Sequence, residues 1–137
     1  MALSDYSSLE ERISDAPEMK TLPRGTEVKA RIINVRTGVD KNDLAYFMPV
    51  YDIPDEPLVS EFSDFFYDLA HIDEHSEKSQ AKSLRKFKIF AEAFEIDYSK
   101  PFDFEDFVGL EGWLILGVSK SEEYGEQNSV HKYVEKK

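Results

Sequence analysis

Lys29, Arg31 and Arg36 fall in one run, Glu27-Val28-Lys29-Ala30-Arg31-Ile32-Ile33-Asn34-Val35-Arg36. Alternation along that run puts Lys29 and Arg31 on the face opposite Val28, Ala30 and Ile32. Cations displayed from a half-buried strand suit phosphate neutralisation, the main source of affinity for nucleic acid. Tyr46, Phe47 and Tyr51 in Ala45–Ile53, and the lone Trp113 in Gly112–Val118, supply rings for base stacking, at about 1–3 kcal/mol per base. Trp113 has two other readings, a protomer contact or burial under the helix or N-terminal arm. The chain has no nucleophile with an adjacent base, no glycine-rich phosphate loop and no paired metal motif, so binding is expected and an enzyme is not. His71 and His75 would share a helical face with Asp68, as in some metal sites, and leave a small metal-dependent hydrolase as a remote option. Ile72 stands where the metalloprotease motif carries glutamate, and no metal or other cofactor is expected.

The charge balance works against this chemistry. Asp and Glu number 28 against 17 Lys and Arg, a net charge of −11. A nucleic-acid-binding protein of that composition has to segregate its charges, and this chain does so along the sequence. From Asn42 to Glu77 there is no Lys or Arg, while Asp52, Glu56, Asp64, Asp68 and others accumulate. Lys20, Arg24, Lys29, Arg31, Arg36 and Lys41 lie before that stretch, and Lys78, Lys82, Arg85, Lys86 and Lys88 after it. At 137 residues, 41% hydrophobic and 13% aromatic, the chain is sized for one folded domain. It has no apolar run of about 18 residues and no basic-then-apolar leader, so no membrane contact is expected. The absence of cysteine excludes disulfides and fits a cytoplasmic location.

The elements that position these residues follow from periodicity. Ser8 and Glu11 have capping-box spacing, predicting a short helix from Leu9 to Asp15 within an arm, residues 1–21, that either frays or docks on a second protomer. The first strand runs through Glu27–Arg36 and bends near Ile33 to Val35, where both faces become apolar. Ala45–Ile53 is the second strand, with either Tyr46/Met48/Val50 or Phe47/Tyr51/Ile53 inward, and Pro49 marks an edge or a bulge. Leu58–Phe62 is expected as the third strand. A long helix follows, capped by Ser76 or Ser79, with Leu84, Phe87, Ala91 and Phe94 on one stripe. Gly112–Val118 and Ser129–Val134 are the fourth and fifth strands, joined by a polar hairpin.

Three strands, a helix and two strands are the element order of the five-stranded, partly open oligonucleotide/oligosaccharide-binding barrel. The expected fold is therefore mostly β with one long helix: a five-stranded OB-fold barrel over residues 22–137, the helix between strands 3 and 4, preceded by the helical arm. The layout of Leu22-Pro23-Arg24-Gly25-Thr26, Phe94-Glu95-Ile96-Asp97, Phe102-Asp103-Phe104-Glu105-Asp106-Phe107, Gly109 and Glu123-Tyr124-Gly125 with Asn128 resembles a family of small bacteriophage single-stranded DNA-binding proteins. The resemblance implies a non-catalytic role in phage DNA replication or recombination, in the host cell cytoplasm, without strong sequence preference. It implies a groove across the first three strands, with Lys132 and Tyr133 flanking it, and single-stranded DNA and replication or recombination proteins as partners; a second copy of the chain is a further expected partner, through the arm or Trp113. The terminal Glu135-Lys136-Lys137 departs from the acidic tail of the general bacterial single-strand binders. The rival reading is an acidic protein-interaction module, a DNA mimic or docking protein, built on the cation-free stretch.

Overall fold

A computed structural model describes residues 2–123 and 125–135. Tyr124, in the quoted turn, and the final Lys136 and Lys137 lie outside the described residues. The chain forms a 3₁₀ turn Ser7–Leu9 leading into α1 (Glu10–Ser14), then β1 (Glu27–Val39), β2 (Ala45–Asp52), β3 (Phe62–Ser63) and β4 (Phe66–Tyr67). A 3₁₀ segment Leu69–Glu74, α2 (Glu77–Phe94), a 3₁₀ turn Phe104–Phe107, β5 (Glu111–Ser121) and β6 (Gly125–Tyr133) complete it. The strands make one antiparallel sheet in the order β3-β2-β1-β5-β6, with β4 also on β2.

Six strands stand where five were expected, and the sheet does not close into a barrel. The extra strand is explained at Pro49. β3 and β4 pair with β2 in a single register, Val50 with Ser63 and Phe47 with Phe66, so they are one strand interrupted at Asp64 and Phe65. Pro49 accepts from the Asp64 N–H at 3.2 Å but has no N–H to return, and the ladder breaks there. Leu58 to Glu61 lie outside the ladder; Val59 makes only an isolated parallel bridge to Lys20. The edge strands β3 and β6 still approach each other, and side chains join them: the Tyr133 hydroxyl donates to Asp64 Oδ2 at 2.7 Å.

Inside the curl, Val28, Ala30 and Ile32 of β1 face Leu114 and Leu116 of β5 and Phe47 and Tyr51 of β2, all buried. An extra residue, Ile33, sits between the Ile32–Tyr51 and Asn34–Val50 pairs and bends β1 where the sequence predicted a bend. Helix α2 begins at Ser76, whose side chain accepts from the Ser79 N–H. It seals one end of the curl with Phe87, Phe90 and Phe94, and its last turn rests on Gly112. A Cβ at that glycine would meet the Ala93 carbonyl oxygen at 2.6 Å. Leu84, expected on the buried stripe, is half exposed and faces a surface cleft instead. In the arm the expected Ser8 cap is absent: Leu9 stands at the N-cap of α1 and gives no side-chain hydrogen bond, and Asp5 accepts from the Ser7 N–H and hydroxyl.

Candidate nucleic-acid interface

Two outward-facing regions contain the residues singled out from the sequence. On the first, β1 lies beside β5, so Lys29 stands opposite Trp113, and Arg31 opposite Glu111. Both cations point outward as alternation predicted, but each has a carboxylate partner. Lys29 Nζ lies 3.4 Å from Glu111, and the Arg31 guanidinium grips Asp52 with Nε at 3.1 Å and Nη2 at 2.7 Å. The Asp52 hydrogen bonds hold the Arg31 pKa above its ordinary value. Trp113 is 49% exposed beside this paired set, which excludes its expected alternative of full burial.

The second region is the outer face of β1, β2 and β4. Phe47 and Tyr51 of β2, and Ile53 just past its end, point inward, which turns Tyr46 and Met48 outward. Tyr46 lies across Gly38 of β1, where a Cβ would come within 2.7 Å of its hydroxyl. Its ring centroid is 4.8 Å from Phe65, which is 5.0 Å from Tyr67. Register carries Phe65 and Tyr67 to the same side as Tyr46, while Phe66 points into the core. Arg36, paired with Met48, displays its cation on this face. Tyr67 donates to Asp40 at 3.2 Å; burial, and secondarily that carboxylate, raise its pKa.

Beyond Phe65 the chain enters a cationic seam. Lys86 Nζ donates to the Phe65 carbonyl and pairs with Asp64 at 3.0 Å, lying 4.6 Å over the Phe66 ring. Next to it a crevice of about 380 Å³ opens between α2 and β6, lined by Lys82, Arg85, Lys86, His131 and Lys132. Its floor includes Asp64 and Tyr133. Lys82 and Lys86 also line the hollow beside Phe65 and Tyr67, so rings and cations form one path. Among the described residues, Lys82, Arg85 and Lys132 make no ion pair. An extra residue, His131, sits between the Ile115–Lys132 and Leu116–Val130 pairs, bulging β6 at the crevice.

The expected stacking residues Phe47 and Tyr51 and the groove-flanking Tyr133 are corrected: Phe47 is 1% exposed, Tyr51 is 0% exposed and Tyr133 is buried, so none of these rings is open to a base. The Tyr51 and Tyr133 hydroxyls meet at 2.7 Å, and desolvation pushes both phenol pKa values well above normal. Of Lys29, Arg31 and Arg36, expected to neutralise phosphates, the first two each already hold a carboxylate. Sequence reasoning missed Phe65, Lys82 and Arg85 as site residues. The cation load of α2 was visible, but its apposition to Phe65 and Lys132 depends on how the helix docks. His71 and His75 do not form an i, i+4 helical pair, because Leu69–Glu74 is 3₁₀ and non-helical at His71. His71 lies 3.9 Å from Glu74, and His75 is buried with its ring centroid 4.6 Å from that of Tyr67.

No known protein-family model matches the chain, and no curated protein sequence matches it.

Proposed function

We propose that this chain is a non-catalytic single-stranded DNA-binding protein, built on an OB-type sheet that remains open between β3 and β6. The observation that carries the proposal is the joining, along one path, of outward rings, Tyr46 and Phe65, to Lys82, Arg85 and Lys132, cations that make no ion pair among the described residues. Rings displayed this way stack on unpaired bases, whose faces a duplex hides, and they do so without strong sequence preference. Phosphates of the same strand then pass the seam, where these cations make no ion pair among the described residues although acids outnumber bases 28 to 17. Arg36 adds a cation at the other border of the rings. A role in phage DNA replication or recombination is the biological setting that the family resemblance suggests.

The acidic-docking alternative is weakened by local pairing. Within the cation-free stretch, Asp52, Glu56 and Asp64 already hold Arg31, Lys20 and Lys86. Fluorescence anisotropy of a labelled oligothymidine tests the choice. Wild-type protein should bind at low salt, Phe65→Ala should lose about 1–3 kcal/mol of affinity, and Lys82→Glu with Arg85→Glu should lose more. Absence of binding at low salt, with single strand and duplex alike, would favour the acidic-docking reading.

A further inference from the structure

Tyr67 stands among the outward rings, yet its hydroxyl is committed to the protein. It donates to Asp40 Oδ2 at 3.2 Å, while Asp40 Oδ1 accepts from the Asn42 and Leu44 N–H groups at 2.8 and 3.0 Å. The carboxylate is thereby fixed to the β1–β2 turn, and the phenol is tied to that backbone through it. The Tyr67 ring also meets the buried His75 ring, with centroids 4.6 Å apart at 68°. His75 directly precedes Ser76, the cap of α2, and its carbonyl accepts from Gln80 Nε2 in the first turn at 2.8 Å. Tyr67 is therefore anchored both to the sheet and to the root of the helix that carries Lys82 and Arg85.

Phe65 depends on that anchorage. Its backbone is held, since its N–H donates to Asp64 Oδ1 at 2.8 Å and its carbonyl accepts from Lys86. Its side chain is only half-buried, and among the described residues its ring contacts are Tyr46, at 4.8 Å and 37°, and Tyr67, at 5.0 Å and 88°. A hollow of about 230 Å³ opens beside Phe65 and Tyr67 toward Ser79, Lys82 and Ser83. Without the perpendicular wall of Tyr67, the Phe65 ring is able to tip toward that hollow, into rotamers that turn its face away from the path. Selecting the rotamer before the strand arrives removes an ordering cost from binding.

We propose that Tyr67 is a positioning residue for single-stranded DNA: tied to Asp40 and seated on His75, it holds the Phe65 ring in its stacking orientation and in register with the cations of α2. This rests on the proposed function, and it has Tyr67 act through Phe65 and not on a base.

A double-mutant cycle on the full chain, read by oligothymidine anisotropy, tests the inference with Tyr67→Phe, Tyr67→Ala and Phe65→Ala. Ordering one side chain on binding costs about twofold to tenfold in affinity, so the Tyr67 variants should lose up to that much, alanine more than phenylalanine. Once Phe65 is alanine, each should lose less than about twofold. If Tyr67→Ala does not fold, Tyr67→Phe, which removes one oxygen, carries the cycle alone. Ring-proton spectra of the DNA-free protein give a second readout. Phe65 signals should move in both Tyr67 variants while those of Phe94, which does not touch Tyr67, stay in place. Unmoved Phe65 signals, or equal affinity losses in both backgrounds, would overturn the positioning role. Absence of oligothymidine binding by the unmodified chain would instead overturn the DNA-binding reading and this inference together, so the two failures are distinguishable.

Discussion

Tyr133→Phe is expected to destabilise the protein more than Tyr51→Phe, although Tyr51 is the more deeply buried of the two. Tyr133 gives its hydroxyl proton to Asp64 at 2.7 Å. The 2.7 Å contact between the hydroxyls is therefore donated by Tyr51 to the Tyr133 oxygen. Removing the Tyr133 hydroxyl leaves the proton of the buried Tyr51 hydroxyl without its acceptor, at about 1–3 kcal/mol, and also removes a charge-assisted bond to Asp64. Asp64 keeps Lys86 at 3.0 Å, which offsets part of the second loss. The sum is about 2–4 kcal/mol, whereas Tyr51→Phe leaves the Tyr133–Asp64 bond in place and should cost about 1 kcal/mol. Both changes keep the ring, so the aromatic packing around Phe90 and Phe94 is retained. The double variant should be no less stable than Tyr133→Phe, because the stranded hydroxyl is gone. Urea unfolding followed by circular dichroism measures all three. Equal or greater loss for Tyr51→Phe, or a Tyr133→Phe loss under about 0.5 kcal/mol, would refute the bonding order and the side-chain closure of the β3–β6 seam.

The same pair predicts alkaline sensitivity. Burial raises both folded-state phenol pKa values, so the stability they contribute is fully present below pH about 10 and is lost as pH rises beyond it. The slope should reach at most about 2.7 kcal/mol per pH unit in urea titrations, and Tyr51→Phe should reduce it. Gly112→Ala forces a methyl onto the Ala93 carbonyl and the Phe94 ring, and should cost about 1–3 kcal/mol in the same assay. Arg31→Ala should change both stability and DNA affinity little, since its pair with Asp52 is partly exposed, whereas Arg85→Ala should weaken binding clearly in anisotropy titrations.

The legible parts of the fold were those where one face of an element differs chemically from the other. Val28, Ala30 and Ile32 against Lys29 and Arg31 defined β1, and Leu114 and Leu116 did the same for β5. Phe87, Phe90 and Phe94 marked the buried side of α2. In β2 both alternating sets are apolar, so its parity was set by contacts from distant segments, such as Phe66 stacking 5.1 Å from Phe47. The break between β3 and β4 depends on which way Pro49 faces, a property of strand pairing. The site was less legible for a related reason. Arg31 and Asp52 are far apart in sequence and pair only through the β1–β2 register. Lys82, Arg85 and Lys132 become one group only when α2 docks beside β6. Sequence spacing identified outward cations, but it could not distinguish neutralised cations from free ones.

The most direct test is the salt dependence of oligothymidine binding by the unmodified protein and by Lys82→Glu/Arg85→Glu/Lys132→Glu. If these three cations neutralise phosphates, log affinity should fall with log salt at a slope of about −2 from their contribution, and the triple variant should lose that part. No measurable binding by the unmodified protein at low salt, or the same slope and affinity in the variant, would contradict a single-strand path through the seam.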